Sequence, residues 1–437
     1  MLKLNIKKKY KKLVVLAVIF LFCSGLIGSG LIPGGKFFLH YILIAVSVYF
    51  LGIVFCRYYM YSCILRLGQL FCVQKNYILS DNLCEPGAQA IDAYSLFLYM
   101  QEKNLPVKYV LLKQNSLYQK LKSENKLKDV IVVNRSIVKN SLGYILAILP
   151  YIFTCKAVLT SSPSGQFDYV YRTNSKLKYI FLQHGMTMLK QGVLDWYNPD
   201  IFDKMLISGD AEFDVVKKAG FDDNSVIKSG LCRWDFLRKE HSAQKQILVM
   251  FTWRQTFNDK DYNIPLNDTE YVKKLKSFLN NIELQEFLRE SDIKLVCSIH
   301  HYILDICKDS IDLGENIELA DSNNLDWYIK TSDLLVTDYS SIAFDFLFLN
   351  TPVIFYRLDF EDSTLDEFDK FNANSAKSMD NYLFNTFYDE ASAVQKIRYY
   401  VQNGFVLEDD YKQIAEKLYY TKTNIRECIV NDLEKSV

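Results

Sequence analysis

From residue 76 onward the chain repeats one pattern, a short apolar run followed by an amphipathic stretch. Lys108–Lys113, Val130–Val133, Ala157–Thr160, Lys178–Gln183, Lys204–Ser208, Val226–Ser229, Ile247–Phe251, Leu295–Ile299, Leu334–Thr337 and Val353–Tyr356 are runs of this kind. Each has strand length and is apolar on both faces, so both faces must be covered; helices lying between parallel strands do that. A helix is expected between Ala88 and Lys103, and further helices over Glu390–Val437 that pack back on the body. So many strands fit two Rossmann-like lobes better than one sheet. The polar stretch Arg238–Gln246 is the most linker-like interval, which divides the body into residues 57–240 and 241–437.

Upstream of this ladder the composition is different. Residues 1–12 hold six lysines and no acid; Leu13–Ile32 and Phe37–Cys56 are uncharged runs of 20 residues, separated by Pro33-Gly34-Gly35-Lys36. A helix needs about 20 apolar residues to cross the hydrocarbon core, and Pro-Gly-Gly is a turn signal. Residues 13–56 are therefore expected to form a membrane-spanning helical hairpin; one span plus a membrane-surface helix is the alternative. The first apolar core is too long for a cleaved signal peptide. Arg57, Arg66 and Lys75 follow the second run before the next acid, Asp81. Positive flanks stay inside, so both ends of the hairpin and the whole body are expected to face the cytoplasm from a two-span position in the cell membrane. Ser141–Phe153 is short and contains Pro150, and is read as a buried or surface-lying helix.

Lys and Arg number 51, as do Asp and Glu, giving a net charge of zero. That argues against binding a nucleic acid polymer through bulk positive charge. Ten cysteines without a Cys-x-x-Cys pair indicate reduced thiols and no structural zinc.

Ligands of open parallel sheets bind beyond the carboxyl ends of the strands. One strand ends at Gln183, followed by His184-Gly185; imidazole accepts a proton near neutral pH, and glycine allows close approach. The alternative is a histidine simply hydrogen-bonded to backbone. A second strand delivers His300 and His301, of which alternation lets only one face the cleft. A third ends at Asp338, after which Ser340 or Ser341 is expected to cap a helix whose N–H groups and serine hydroxyls suit a pyrophosphate. Arg254 in Thr252-Trp253-Arg254 and Arg233 in the Gly230–Asp235 segment are natural phosphate ligands; an ion pair of Arg233 with Asp235 is the plainer reading. No Walker loop, dinucleotide fingerprint or acidic metal cage is present.

In this order the motifs resemble those of the CDP-glycerol glycerophosphotransferase family of teichoic acid and capsular polysaccharide synthesis. SDLLVTDYSSIAFDFLFLNTPVIFYRLDF is similar to that family's Asp-Tyr-Ser-Ser segment with its trailing Asp359. QHGMTMLK resembles its His-Gly-Thr-x-x-Lys, with Met186 where Thr is usual and Thr187 one place later. SGLCRWDFL resembles Gly-x-Pro-Arg-x-Asp with Cys232 for Pro, FTWR matches Thr-Trp-Arg, and in SIHHY His301 replaces the Pro of His-Pro. The likeness covers roughly residues 85 to 360.

The resemblance implies a GT-B-like pair of lobes, an acceptor side at 57–240 and a CDP-donor side at 241–437. It also implies transfer of a polyol phosphate from CDP-glycerol or a related CDP-polyol to a lipid-linked glycan or polyol-phosphate acceptor at the inner leaflet, with release of CMP. No extra domain of a polymerising kind is seen, so a single addition is expected. That reaction needs a base for the attacking hydroxyl, assigned to His184. It also needs donors for the pyrophosphate, assigned to His300, Arg254, Ser340 and Ser341, with Asp338 orienting their turn and Arg233 and Lys190 in reserve. Gly185, Thr187, Lys190 and Asp235 complete the acceptor or auxiliary set. No cofactor is required by this set, although a divalent cation accompanying the donor is compatible with it. An ordinary GT-B glycosyltransferase using a nucleotide sugar is the competing reading, and a non-catalytic membrane scaffold is a third.

Overall fold

The computed structural model describes residues 41–42, 44–49, 52, 67–68, 70–81, 91–134, 148, 150–162, 177–259, 262–299, 303–304, 315–321, 324–383 and 385–436. His300, His301, the first expected membrane run and most of the second lie outside these residues, as does most of Ser141–Phe153. Among the described residues no helix is long and apolar enough to cross a membrane.

Two compact units are present. The first comprises residues 1–88, 105–158 and 163–179, the second residues 89–104, 159–162 and 180–437. The first contains β1 (Asn76–Ser80), β2 (Val107–Leu112) and β3 (Val130–Val133), in the parallel order β3-β2-β1. Between β2 and β3 runs a helix, Ser116–Ser123, started by Asn115, whose side chain accepts from Leu117 N. The chain continues through β4 (Cys155–Thr160) and β5 (Lys178–Phe181).

In the second unit β5 pairs in parallel with β6 (Lys204–Ile207), and β6 with β7 (Val226–Lys228). Helices α1 (Asp92–Glu102) and α2 (Asp210–Lys218) belong to this part. A second parallel sheet has the order β10-β9-β8-β11-β12-β13. Its strands are β8 (Gln246–Met250), β9 (Lys294–Ser298), β10 (Ile317–Leu319), β11 (Leu334–Thr337), β12 (Val353–Tyr356) and β13 (Thr386–Phe387). Helices α3 (Glu270–Leu279), α4 (Ile282–Glu290), α5 (Leu325–Thr331), α6 (Ile342–Phe348), α7 (Glu367–Lys377) and α8 (Glu390–Gln402) alternate with its strands or follow them. Thr269, Asn281, Asp366 and Asp389 cap α3, α4, α7 and α8 through side-chain oxygens, which satisfies N–H groups that a helix start leaves unpaired.

The core of this sheet explains the apolar runs. Ile247, Leu295, Leu334 and Ile354 are fully buried, with Val272, Phe278, Leu284 and Ile397 of the covering helices packed against them. Each such side chain contributes roughly 1.5–3 kcal/mol of burial. The strand expectations agree with the structure to within a residue or two. The pattern does not mark β1, β10 and β13. The last two are edge strands of three and two residues, too short to print a periodicity.

Register matters for function. Met250 lies opposite both Thr337 and Ser298, so β8, β9 and β11 end in one row and the chain segments that follow leave from a common edge. The C-terminal helices α9 (Asp409–Leu418) and α10 (Ile425–Ser436) then return over the second unit. Tyr419 donates its hydroxyl to Phe344 O of α6 at 2.7 Å. A Cβ on Gly209, which precedes α2, would lie 2.3 Å from Lys417 O.

Candidate active site

The turn after β5 carries His184. Gln183 has φ 59°, a left-handed conformation that costs a non-glycine residue energy and must be held by its surroundings. The holding groups are visible. Gln183 is buried, and its amide donates to Leu206 O at 2.5 Å and to Glu212 Oε1 at 3.2 Å. His184 is exposed, with Nδ1 2.7 Å from Ser161 O. A carbonyl oxygen can only accept, so in the neutral ring Nδ1 bears the hydrogen and Nε2 presents its lone pair. The ring also meets Phe181 edge-on at 6.5 Å.

Gly185 brings this turn to the start of α6. A Cβ there would sit 2.2 Å from Ser341 Oγ and 2.9 Å from Ser341 Cβ, so only a hydrogen fits. The expected base and one expected donor ligand are therefore adjacent. Ser341 has helical backbone angles and makes no capping bond, and Ser340 Oγ reaches Ile342 N only at 3.5 Å. Since α6 has just seven residues, its dipole is small; its start offers two half-buried hydroxyls.

Both arginines expected to hold phosphate are paired within the protein. Arg233 donates from Nε and NH2 to the two oxygens of Asp345 (3.2 and 3.0 Å), and from NH1 to Asp92 Oδ2 (2.8 Å) and His184 O (3.1 Å). Burial opposes its charge, but Asp345 and Asp92 outweigh that and hold the guanidinium above its ordinary range. Arg233 thus ties α1 and α6 to the His184 turn. The partner is not Asp235, whose carboxylate accepts from Ile425 N, Arg426 N and Arg426 Nε at 2.8–3.0 Å and caps α10. Asp235, expected in the acceptor or auxiliary set, thus has its carboxylate engaged at the start of α10.

Arg254 is 2% exposed. Its fork meets Asp359 at 2.7 Å twice, Asp338 at 2.7 Å and Thr252 O at 2.6 Å, and it is flanked by the rings of Tyr271 and Tyr339, each 4.9 Å away. Burial opposes the charge here too, and Asp359 with Asp338 holds it well above the ordinary value. Asp338 also accepts from Thr252 N, Thr252 Oγ1 and Tyr339 N. These three residues form a buried frame that fixes the β8 and β11 ends. Its donors point at carboxylates and the Thr252 carbonyl instead of into solvent.

Lys190 is different. Among the described residues its ammonium makes no hydrogen bond or ion pair, although it is close enough to feel Asp338, Arg254 and Asp369. Burial pulls its pKa below the ordinary lysine value; Asp338 opposes that shift and Arg254 adds to it. A partly desolvated cation without a partner is a better phosphate ligand than either paired arginine. The loop that carries it is pinned to α7, since Gly192 N donates to Asn372 Oδ1 at 2.9 Å and Trp196 stacks on Phe368 at 5.3 Å.

Thr187 is buried, and both its N–H (2.9 Å) and its hydroxyl (3.3 Å) go to Glu212 Oε1. Glu212 is not marked by the sequence; a separation of 25 positions and a place in an ordinary amphipathic helix hide the link. Among the described residues no group of three His, Cys, Asp or Glu side chains converges on a common point.

The comparisons with known proteins come from three directions. The family model described as CDP-Glycerol:Poly(glycerophosphate) glycerophosphotransferase matches residues 87–367. The minor teichoic acid biosynthesis protein GgaB of Bacillus subtilis (strain 168) is 29% identical over 361 residues, covering 78% of this chain and 38% of that protein. A teichoic acid poly(glycerol phosphate) polymerase of Bacillus spizizenii is 29% identical over 169 residues, 36% of this chain and 41% of that one. This chain thus spans about two fifths of the length of those relatives. Among solved structures, the wall teichoic acid polymerase TagF shares the fold, with a TM-score of 0.52 at 17% identity over 85% of this chain and 92% of that one.

Proposed function

We infer, because the chain belongs to the CDP-glycerol:poly(glycerophosphate) glycerophosphotransferase family, that it moves glycerol phosphate, or another polyol phosphate, from a CDP-activated donor to a hydroxyl of a teichoic acid or related cell-surface glycan precursor. The acceptor oxygen attacks the β-phosphorus of the donor. A P–O bond forms to the acceptor, the bond from the β-phosphorus to the bridging oxygen breaks, and CMP leaves with that oxygen. The acceptor proton passes to Nε2 of His184.

One observation carries this reading. His184 is exposed, tethered at Nδ1 by Ser161 O, and set against the Ser341 hydroxyl by Gly185. In this reading the base and a hydroxyl that binds the donor phosphate are neighbours, which supports in-line transfer. Ser340, Ser341 and Lys190 take the donor phosphates in this scheme, with His300 as a further ligand on the strength of its sequence position. Arg254, Asp338 and Arg233 act as frame. The runs at 13–56 with their lysine-rich flanks support a membrane anchor that holds the body at the inner leaflet, near a lipid-linked acceptor.

Incubating the purified protein with a panel of CDP-polyols and nucleotide sugars tests the reaction. CMP release that depends on CDP-glycerol and an acceptor is expected. Turnover of a nucleotide sugar, with no CMP from any CDP-polyol, would replace this reading with a glycosyltransferase. Deleting residues 1–60 should move the protein from the membrane to the soluble fraction, and a full-length chain found only in the soluble fraction would contradict the anchor.

A further inference from the structure

We propose that Glu212 is a positioning residue for His184, a role that rests on the phosphotransferase reading above. Glu212 is completely buried at the third position of α2. A glutamate at that place commonly reaches back to the N–H of the capping residue; here one oxygen reaches one residue further, with Oε2 accepting from Ser208 N at 2.8 Å, just before the cap Gly209. The other oxygen does something a cap does not require. Oε1 accepts from Thr187 N at 2.9 Å, Thr187 Oγ1 at 3.3 Å and Gln183 Nε2 at 3.2 Å. These donors flank the three residues between them, His184, Gly185 and Met186.

The turn needs such a clamp. Gln183 holds a left-handed backbone conformation, which persists only where the surroundings over-determine it. Its amide nitrogen is spanned between Leu206 O and Glu212, while its Oε1 is buried without a hydrogen-bond partner among the described residues. One buried carboxylate therefore fixes the residue before His184 and the residue after Met186, leaving the imidazole between two anchored points. Burial raises the Glu212 pKa, and the hydrogen bonds from Thr187 and Ser208 oppose that rise. The clamp touches no substrate; it acts through the direction in which His184 points.

A residue that works only through His184 has a recognisable kinetic signature. Glu212→Ala should lower the turnover of CMP release by a factor of about 10–100, while the affinity for CDP-glycerol stays within about threefold. In a His184→Ala background the same change should cost almost nothing more, since there is no base left to misplace. Glu212→Gln, which keeps one acceptor for the three donors, should recover most of the turnover. Gln183→Leu gives an independent route, because it removes one arm of the clamp and leaves the α2 cap to Ser208 intact; it should show the same loss of turnover at unchanged donor affinity.

Donor binding by calorimetry and CMP release are measured on the same preparations of all variants, with near-ultraviolet circular dichroism to identify folded protein. If Glu212→Ala does not fold, the Gln183→Leu and Glu212→Gln pair decides. Full turnover in folded Glu212→Ala or in Gln183→Leu overturns the proposal, and so does a loss that multiplies fully with that of His184→Ala. A wild-type protein that releases no CMP is a different result and strikes the phosphotransferase reading itself.

Discussion

Replacing Arg233 with methionine exposes the difference between a frame and a ligand. In the wild type the guanidinium serves two carboxylates and one carbonyl through four side-chain hydrogen bonds of 2.8–3.2 Å. Methionine preserves part of the apolar stem but leaves Asp92 and Asp345, 2% and 4% exposed, without their cation. Removing one partner of a buried pair costs about 3–5 kcal/mol, a large part of the roughly 5–15 kcal/mol that separates a folded domain from its unfolded state. The sign of the pH dependence follows from Asp92. Burial raises its pKa above the ordinary value even with Arg233 opposing. A carboxyl raised in the folded state keeps its stability contribution at acid pH and loses it as pH climbs through the raised value, because the unfolded chain gives up the proton first. Without Arg233 that rise grows, so the deficit of the variant should be smallest in acid and increase towards neutral pH. Urea unfolding of both proteins across that range, with calorimetric donor binding where the variant is folded, measures the effect. A variant as stable as the wild type that has lost donor binding would refute the frame and restore Arg233 as a phosphate ligand.

Two further substitutions probe the cleft. Lys190→Gln should weaken binding of CDP-glycerol by about 10–100-fold, the range of a charge-assisted hydrogen bond. Wild-type affinity should also fall as pH rises through the lowered lysine pKa, a dependence the variant lacks; identical pH profiles by calorimetry would clear Lys190 of the role. Gly185→Ala forces a Cβ to within 2.2 Å of Ser341 Oγ, an overpacking that should cost about 1–3 kcal/mol in a denaturation experiment and slow transfer; an unchanged variant would mean the two segments do not touch.

What could be read from the sequence was decided by range. Leu334–Thr337 and Val353–Tyr356 were legible because a doubly covered strand writes its burial into consecutive residues. The turn chemistry was legible in kind, since His184-Gly185 and Ser340-Ser341 follow such strands directly. Partnerships were not. Arg233 looks like a phosphate ligand or the partner of nearby Asp235, and only the folded chain brings Asp92 and Asp345, 141 and 112 residues away, to its fork. The partner of Arg254 was hidden for the same reason, as Asp359 lies 105 residues downstream. Glu212 occupies a helix position that capping alone would explain, so nothing local distinguishes it. His300 lies outside the described residues, and its role rests on its place after an apolar strand and on the family likeness.

The central claim is that His184 takes the acceptor proton without holding the donor. Its most direct test is His184→Ala, with CDP-glycerol binding measured by calorimetry and CMP release followed on the same protein in the presence of acceptor. A general base accounts for a factor of about 10²–10⁴, so turnover should fall by that amount while donor affinity stays near the wild-type value. Full turnover in the variant, or a loss that appears entirely as weakened donor binding, would contradict it.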